Sequence, residues 1–296
     1  MTPTSLAGIA VSLAVGAGIA WAGSQGGLTV AIGSAVLPLF ALCVIASFVV
    51  QWVVFIPSYI AQTEHYYDLT GSLTYIALTA VALTLGNGGD ARALLIGAMV
   101  LMWALRLGTF LFRRVRADGS DGRFDRIKPD FLWFLMAWTM QALWVPLTLA
   151  AALVVFTTEV QVPLDGFAAV GALMWGAGFA IEVIADQQKR AFRSDPTNEG
   201  EFIRTGLWAW SRHPNYFGEI LLWTGIAVIA LPVLAGWQFA ALISPVFVFI
   251  LLNFVSGVPM LEKRAEKRWG TDPVYRQYVK ETPVLIPRPP RLQPAV

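Results

Sequence analysis

Polar side chains are concentrated in the segment Ser211–Glu219, SRHPNYFGE, which lies between a basic stretch and an apolar one. His213 is one of two histidines in the chain. Pro214 is typical of a helix N-terminus, where free N–H groups and the positive end of the helix dipole favour an anion. Asn215 and Glu219 would lie on one face of that helix. The segment is a candidate ligand-binding element; an interfacial helix start with aromatic anchors is the alternative.

A second polar cluster lies on the helix predicted before this segment. Glu182, Asp186, Arg190 and Arg193 follow one another at intervals of four, four and three residues, so they share one helix face. Carboxylates near the end of an apolar span are costly unless they are paired or face water. Two interpretations remain open: a series of ion pairs that caps the helix, or a face that binds a phosphate-bearing ligand, to which the planar arginine fork is suited.

A third cluster lies in the stretch PSYIAQTEHYYDLTG, residues 57–71, ahead of an apolar segment. It gathers six polar or aromatic side chains at a predicted membrane edge: Gln62, Glu64, His65, Tyr66, Tyr67 and Asp68. A further charge, Arg106, falls within a predicted span. An arginine inside the membrane is by default a functional hypothesis, with snorkelling to the interface as the alternative.

Membrane-spanning helices must position these residues. The chain has 296 residues, of which 56% are hydrophobic and 14% are charged, and its mean hydropathy is +0.62; a soluble domain carries about 25% charged residues. At about 20 residues per crossing, we predict eight spans: 5–23, 29–56, 71–87, 92–113, 130–157, 163–187, 215–234 and 237–258. The predicted fold is an all-α, polytopic membrane helix bundle, a single domain over 1–296 with a cytoplasmic tail helix and extension at 259–296.

Lysine and arginine predict the orientation of the spans. All but two of the 21 basic residues lie in the loop 113–128, in the loop 189–213 or in the tail. Two spans separate each region from the next, so all three face one side, which the positive-inside rule assigns to the cytoplasm. The three polar clusters then lie at or just inside the cytoplasmic face. Charges gathered at one face disfavour a transporter, whose site would lie at the midplane.

Several kinds of site are not indicated. Cys43 is the one cysteine and sits in an apolar run, and no HExxH motif is present, so we predict no disulfide and no metal site. No Walker motif, GxGxxG after a strand, or GxSxG occurs, so a nucleotide would bind within the helix bundle. The N-terminal segment lacks a positive n-region and is interpreted as a weak first span rather than a cleaved signal peptide. Neither a nucleic acid nor an obligate protein partner is expected.

The order of these motifs resembles the membrane steroid 5α-reductase family, including its bacterial members. RxxR at 190–193 precedes HPNYFGE at 213–219, and LE, YRQY, TP and LIP follow between 261 and 287. The resemblance covers roughly residues 30–290. HPNYFGE and the closing LIP also occur in membrane methyltransferases that modify isoprenylcysteine carboxylates or amine head groups, so those two motifs mark the wider superfamily.

The resemblance implies seven helices around an NADPH-binding cavity with a lipid-accessible substrate pocket, and it makes residues 1–28 an N-terminal addition. The run DxxxRxxR at 186–193 matches the family's nucleotide-binding pattern, and NxxGE at 215–219 matches another of its motifs. Together with the other basic positions, the resemblance assigns the cofactor to these residues: Arg106, Arg113, Arg114, Asp186, Arg190, Arg193, Arg204, Arg212, His213, Asn215, Tyr216, Glu219 and Glu262.

The same resemblance implies NADPH-dependent reduction of the C4–C5 double bond of a 3-oxo-Δ4 steroid or a similar lipid enone. Glu64 stands where the reductases have the glutamate that holds the substrate carbonyl. We expect a protonated Glu64, assisted by Tyr66 or Tyr67, to stabilise the enolate as an oxyanion hole does. Burial beside the membrane would keep that carboxyl protonated near neutral pH. Gln62, Glu64 and Trp103 are the expected substrate contacts.

Two features depart from the eukaryotic reductases. Their closing helix offers His and Tyr to the adenine end of the cofactor where this chain has Glu262 and Glu266, and their second carbonyl-binding residue is a tyrosine near the position of Trp103. The two glutamates resemble a pair in the methyltransferases, which leaves an S-adenosylmethionine-dependent methyltransferase as the alternative. We expect a multi-pass protein of the bacterial inner membrane whose active site opens to the cytoplasm, with membrane lipids and a steroid-like lipid as its partners.

Overall fold

The computed structural model describes residues 2–118, 122 and 124–290. It is 75% helical, and the described residues include a single two-stranded sheet. Eight of the described helical segments are long and apolar enough to cross a membrane, as predicted. The all-α, polytopic fold class is therefore confirmed.

The elements follow one another along the chain with short connections. Their bounds are α1 Thr2–Gly23, β1 Thr29–Ile32, β2 Ala35–Pro38, α2 Leu39–Ile60, α3 Tyr67–Leu85, α4 Ala91–Asp118, α5 Phe131–Thr157, α6 Gly166–Ser194, α7 Pro214–Ala230, α8 Ile243–Ile250, α9 Val258–Trp269 and α10 Pro273–Glu281. The last predicted span is irregular: a 3₁₀ helix at Gly236–Leu242 precedes α8, and a π-helical turn at Leu251–Val255 follows it.

Two compact units divide the chain. Unit 1 comprises Met1–Ala169 and Ile226–Ser244, and unit 2 comprises Val170–Gly225 and Pro245–Val296. Unit 1 contains the cluster around Glu64, and unit 2 contains the segment SRHPNYFGE. The single domain over 1–296 stays a prediction.

Helix α5 is the centre of unit 1. In the part of α5 that is long enough to cross a membrane, 89% of the residues are buried, because α1, α2 and α3 pack around this helix. Polar groups tie the neighbouring helices to it: Ser47 Oγ donates to Ala142 O at 2.7 Å, and Gln141 Nε2 donates to Tyr67 O at 2.8 Å. Such interhelical hydrogen bonds stabilise helix association in lipid. They fix the start of α3, and with it the chain next to Glu64.

A buried arginine at the start of α4 joins two other segments of unit 1, the loop before α6 and the end of α7. The Arg92 side chain is fully buried; its guanidinium donates to Ile229 O at 2.6 Å and to Pro163 O at 2.7 Å, and it pairs with Asp165 at 3.1 Å. The backbone N–H of Ala168, and then the Arg92 guanidinium, lower the pKa of the Asp165 carboxyl. Because Arg92 is engaged with carbonyls and a carboxylate, we assign it a structural role.

The predicted second span, 29–56, begins too early. Residues 29–38 form a hairpin in which Thr29 pairs with Pro38, and Gly33 takes a positive φ of 61° in its turn. The apolar, β-branched sequence here is continuous with the helix that follows, so hydropathy alone cannot separate strand from helix. Pro38 is the N-cap of α2, which starts at Leu39.

Helices α6 and α7 approach each other backbone to backbone in unit 2. A Cβ added at Gly218 would lie 2.8 Å from Glu182 N, and one added at Gly178 would lie 2.6 Å from Leu222 N. Small residues allow this close approach in membrane helices. Gly218 is thus a point where the backbone of α6 comes close to α7.

Gly218→Ala is expected to destabilise the protein by about 1–3 kcal/mol, because the added methyl group forces the two helix backbones apart. Gly176→Ala is the matched control, since it lies on α6 with no atom within 4 Å of the new Cβ. Thermal midpoints in detergent should fall for Gly218→Ala and stay level for Gly176→Ala. Equal midpoints would contradict the close packing.

Candidate functional site

A cavity of about 730 Å³ lies within unit 2, lined by residues between 189 and 278. Its basic lining residues are Lys189, Arg193, Arg212, Arg264 and Arg268, its acidic ones are Asp195, Glu199, Glu201 and Glu262, and its aromatic ones are Phe192, Phe202, Trp208, Trp269, Tyr275 and Tyr278. A few converging charges on an aromatic wall are typical of ligand sites. The arginines suit phosphate oxygens, and the rings suit a flat heterocycle.

A charged cluster forms one wall of this cavity. His213 Nε2 lies 2.8 Å from Glu262 Oε1, and Arg212 Nη1 donates to Glu262 Oε2. The ring of Tyr216 stacks on His213 with centroids 5.4 Å apart and an interplanar angle of 7°. Both oxygens of Glu262 are thus engaged, and its charge is compensated by Arg212.

His213 is held as a neutral imidazole. It is 5% exposed, and burial, reinforced by the Lys189 and Arg212 charges, lowers its pKa below 6.5 although the bond to Glu262 opposes this. Since Glu262 accepts from Nε2, the proton sits there and Nδ1 is an acceptor. Nδ1 has no hydrogen-bond partner among the described residues. Because His213 lines the cavity, its Nδ1 is a candidate acceptor for a ligand hydroxyl or N–H.

The free energy of unfolding is expected to fall as the pH drops below 6.5. The lowered pKa means that His213 takes up a proton in the unfolded chain before it does in the folded one, so the unfolded state binds more protons and stability rises with pH in this window. His213→Gln should flatten the dependence of the thermal midpoint on pH, whereas His65→Gln, at the exposed histidine, should not. Identical slopes in the wild type and His213→Gln would contradict this.

The segment after α10 fixes the backbone in front of α7. The Arg212 N–H donates to Pro283 O at 2.9 Å, and the His213 N–H donates to Val284 O at 3.1 Å. Ser211 Oγ also donates to Val284 O, at 3.2 Å. These bonds give a physical reason for the motifs LIP and HPNYFGE to occur together. LIP belongs to the segment after α10, and that segment holds the backbone at the start of HPNYFGE.

The structure revises the predicted face of α6. Arg193 lines the cavity together with Lys189, one turn before it, whereas Arg190 is exposed and does not line it. Asp186 accepts a hydrogen bond from Asn215 Nδ2 at 3.2 Å, so these two residues link α6 to α7. The face that the cavity uses is therefore offset from the predicted Asp186–Arg190 face.

Three further predicted cofactor residues of unit 2 do not line the cavity. Arg204 is exposed, with its guanidinium 5.8 Å from the centroid of the Phe202 ring. Tyr216 and Glu219 are half-buried on α7. Their assignment to the cofactor stays a prediction.

Sequence reasoning missed other residues of the cavity. Lys189 Nζ lies 4.4 Å above the centroid of the Trp208 ring, and Tyr278 Oη donates to Trp208 O at 2.7 Å. Burial raises the pKa of the Tyr278 hydroxyl, so it remains a donor at neutral pH. Lys189 had a signal in the sequence, its four-residue spacing from Arg193.

The cavity residues fit a nucleotide cofactor. His213 Nδ1 and Arg212 Nε are buried, and neither has a hydrogen-bond partner in the described part of the chain. An acceptor nitrogen, a guanidinium N–H and several lysine and arginine side chains match ribose hydroxyls and phosphate groups. Lys189, Arg193, Arg212 and His213 are the residues that would hold such a group.

In unit 1, Glu64 is buried in an ion pair. Its residue is 4% exposed, and Lys128 Nζ donates to its Oε2 at 2.5 Å. An ammonium beside Glu64 favours the ionised carboxylate, an effect that burial alone does not include. The protonated resting Glu64 stays a prediction. Lys128 was counted only as a loop charge, since a contact over 64 positions leaves no periodic signal.

The two tyrosines after Glu64 differ in accessibility. Tyr67 is 8% exposed, its hydroxyl donates to Ala137 O at 2.9 Å, and its ring packs on Phe124 with centroids 4.8 Å apart. Tyr66 is 55% exposed. The Tyr67 hydroxyl proton is engaged by a backbone carbonyl, which leaves Tyr66 as the more available phenol.

The other residues of unit 1 that were predicted to bind the substrate or the cofactor lie at separate places along the chain. Gln62 is exposed, has a positive φ of 50°, and donates from Nε2 to Tyr59 O at 2.7 Å. Trp103 is 2% exposed and meets the ring of Tyr75 edge-on at 5.1 Å. Arg106 is half-buried one turn further along α4. The side chains of Arg113 and Arg114 lie outside the described residues.

These features define an integral, multi-pass membrane protein with a charged cavity. The model of the family described as "Protein of unknown function (DUF1295)" matches residues 52–282, and the chain belongs to this steroid 5α-reductase-like family. The match begins within α2, so α1 and the hairpin lie outside it.

Three curated relatives are similar to parts of the chain. The 3-oxo-5-alpha-steroid 4-dehydrogenase 1 of Macaca fascicularis is 30% identical over 118 residues, 40% of each chain. The Delta(14)-sterol reductase of Methylotuvimicrobium alcaliphilum is 32% identical over 181 residues, 54% of this chain and 39% of the relative. A probable O-methyltransferase of Ustilaginoidea virens is 25% identical over 108 residues, 36% of each. The chain thus spans about two fifths of each relative. No solved structure matches the chain significantly.

Proposed function

We propose that the protein is an NADPH-dependent reductase that saturates the C4–C5 double bond of a 3-oxo-Δ4 steroid or a similar lipid enone. The observation that carries the proposal is the cavity of unit 2, where basic and aromatic side chains surround a buried histidine with an acceptor nitrogen. Family membership and the similarity to two reductases support the class of reaction.

The residues of unit 2 bind and orient the cofactor in this proposal. Bound NADPH would supply a hydride equivalent. Lys189, Arg193 and Arg212 hold phosphate oxygens, and His213 Nδ1 accepts a hydrogen bond from a hydroxyl or amide N–H. Trp208 and Tyr278 provide aromatic surface for a flat ring. The surplus of arginines suits the additional phosphate of NADPH.

The residues of unit 1 act on the substrate in this proposal. Negative charge develops on the carbonyl oxygen as the β-carbon accepts the hydride, and Glu64 hydrogen-bonds to that oxygen. Tyr66 is the second donor, because the Tyr67 hydroxyl is engaged by Ala137 O. Glu64 needs a proton to donate, and Lys128 is a donor in contact with it.

The lipid substrate reaches the protein through the membrane, and the cofactor comes from the cytoplasm. Basic loops on one side support this orientation, and the bacterial inner membrane is the expected location. The natural substrate would be a flat, apolar enone that partitions into lipid.

Purified protein in detergent tests the proposal. NADPH absorbance at 340 nm is followed with progesterone, a 3-oxo-Δ4 steroid, and S-adenosylmethionine binding is measured in parallel. Steroid-dependent loss of absorbance with a saturated product is the expected result. Binding of S-adenosylmethionine without NADPH oxidation would overturn the proposal.

Arg193→Gln is expected to raise the Kd for NADPH by about tenfold, the size of a lost charged hydrogen bond, and to change kcat at saturating cofactor by less. Lys267→Gln is the control, because it removes one exposed positive charge that does not line the cavity. Tryptophan fluorescence reports binding, since Trp208 lines the site. A reduced kcat with unchanged Kd would reject the assignment of Arg193.

A second candidate is an S-adenosylmethionine-dependent methyltransferase, which the similarity to a probable O-methyltransferase favours. The geometry supports it less well. Glu262 lines the cavity but is engaged by Arg212 and His213, and Glu266 is exposed and does not line it. The two glutamates therefore do not present a pair of free carboxylates to the cavity.

A further inference from the structure

Three charged side chains of unit 1 form a series from solvent to a buried carboxylate. Asp125 Oδ1 lies 3.6 Å from Lys128 Nζ, and Lys128 Nζ lies 2.5 Å from Glu64 Oε2. The exposed fractions of the three side chains fall along the series, from 63% for Asp125 through 16% for Lys128 to 3% for Glu64. The series is continuous, and only its outer end is well exposed.

The segment that carries Asp125 and Lys128 is anchored at both ends. The Lys128 N–H donates to Phe124 O at 2.9 Å, and the ring of Phe124 packs on Tyr67 with centroids 4.8 Å apart. Asp130 caps α5 by accepting from the Trp133 N–H at 3.1 Å. The ammonium group is thus held beside Glu64 by the local fold and not only by its charge.

We propose that Asp125, Lys128 and Glu64 form a proton path that delivers the proton consumed by enone reduction. The inference rests on the proposed function. Saturating the double bond takes up one hydride equivalent, supplied by NADPH, and one proton. In this proposal the Lys128 ammonium holds the resting Glu64 as a carboxylate, so the proton comes through Lys128.

The transfer balances in two steps. A Lys128 N–H bond breaks as a Glu64 O–H bond forms, which converts the ion pair into a neutral carboxyl and a neutral amine. The Glu64 O–H bond then breaks as a bond to the substrate oxygen forms, and the resulting enol gives the saturated ketone by tautomerisation. The neutral Lys128 amine then takes up the one proton that the reaction consumes from bulk solvent, and the Asp125 carboxylate favours the resulting ammonium form. Burial lowers the barrier to the first step, because it disfavours the two separate charges.

Lys128 is therefore a positioning residue that acts through Glu64. Among the described residues, the titratable or charged neighbours of the path along the chain include His65, Tyr66, Tyr67 and Asp68 near Glu64, and Arg126 and Asp130 near Lys128. His65 is exposed, with Nδ1 lying 3.0 Å from Thr63 Oγ1. The Tyr67 hydroxyl is engaged by Ala137 O.

Infrared spectroscopy of the full-length protein tests the path without turnover. The Glu64 carboxyl band is assigned by difference against Glu64→Gln, at neutral pH and without ligands. We expect an ionised Glu64 in the wild type and a protonated one in Lys128→Met, because the mutation removes the cation that stabilises the carboxylate. Lys263→Met, on the exposed face of α9, should leave the band unchanged. A Glu64 that stays ionised in Lys128→Met would overturn the inference.

Turnover of progesterone with NADPH tests proton delivery itself. We expect Lys128→Ala to lower kcat by about 100-fold, to leave the Kd for NADPH unchanged, and to be partly rescued by added methylamine. Asp125→Asn should lower kcat a few-fold and increase the solvent isotope effect. Active wild type with a fully active Lys128→Ala would overturn the path alone. A wild type that binds NADPH but never reduces an enone would overturn the proposed function, and the path with it.

Discussion

Replacing Glu64 by glutamine is expected to lower kcat for enone reduction by about 10²–10³-fold, the effect of losing one oxyanion donor. The amide can still donate a weak hydrogen bond, but it can neither accept a proton from Lys128 nor pass one to the substrate. The Kd for NADPH should stay unchanged, because the cavity residues proposed to hold the cofactor belong to unit 2. Steady-state kinetics and fluorescence titration of the same preparation give both quantities.

Glu159→Gln is the matched control for this experiment. It makes the same change at an exposed carboxylate of unit 1, so its kcat should equal that of the wild type. A thermal midpoint for each variant separates loss of chemistry from loss of fold. Full turnover by a folded Glu64→Gln would remove Glu64 from the mechanism.

Replacing Arg92 by methionine is expected to reduce the free energy of unfolding by about 2–4 kcal/mol. The substitution keeps much of the buried volume but leaves the carbonyls of Pro163 and Ile229 without their donor. Each unsatisfied buried acceptor costs about 1–3 kcal/mol, and inside a membrane protein water replaces the donor poorly. Reversible unfolding in mixed micelles measures the change.

Asp165→Asn tests the same ion pair by changing its more exposed partner. Asp165 is 34% exposed, so solvent screens its contribution and the loss of stability should be smaller than for Arg92→Met. Asparagine can still cap the Ala168 N–H, as Asp165 does at 3.0 Å. If Arg92→Met proved as mild as Asp165→Asn, the buried hydrogen bonds of Arg92 would not be stabilising.

The fold class could be predicted because the bilayer leaves few choices. An apolar run long enough to span must form its backbone hydrogen bonds internally, so hydropathy predicted all eight helical spans. The hairpin at 29–38 was not predicted, because its apolar residues continue into α2 with no break in hydropathy. The change from α-helix to a π-helical turn after Ile250 was not predicted either, since a π-helical turn has no strong signal in a single sequence.

The candidate site could be predicted less completely. Arg193, Arg212, His213 and Glu262 were assigned from charge and motif, and the structure brings these four to one cavity. Periodicity could not decide which face of α6 meets that cavity, because Lys189 and Asp186 each have a basic residue one turn later. The rotation of α6 about its own axis depends on its glycine contacts with α7. The helical period of the sequence carries no information about those contacts.

Pairings between distant residues could not be predicted at all. The Glu64–Lys128 contact spans 64 positions, and the His213–Glu262 contact spans 49. In both cases the sequence showed two charged or polar residues on the predicted cytoplasmic side. Lying on the same side makes a contact between them possible but does not indicate that it forms. Lys128 could not be predicted as a neighbour of Glu64 for the same reason.

The backbone bonds from residues 212 and 213 to residues 283 and 284 also set an order of events during synthesis. The ribosome releases residue 284 about seventy residues after residue 211. Until then, the loop that carries His213 lacks the segment that holds it, whereas Glu64 and Lys128 both emerge within the first 128 residues and can already pair. A nascent chain can therefore form the Glu64–Lys128 pair early and complete the cavity of unit 2 last, so a chain that ends before residue 283 lacks the segment that holds His213.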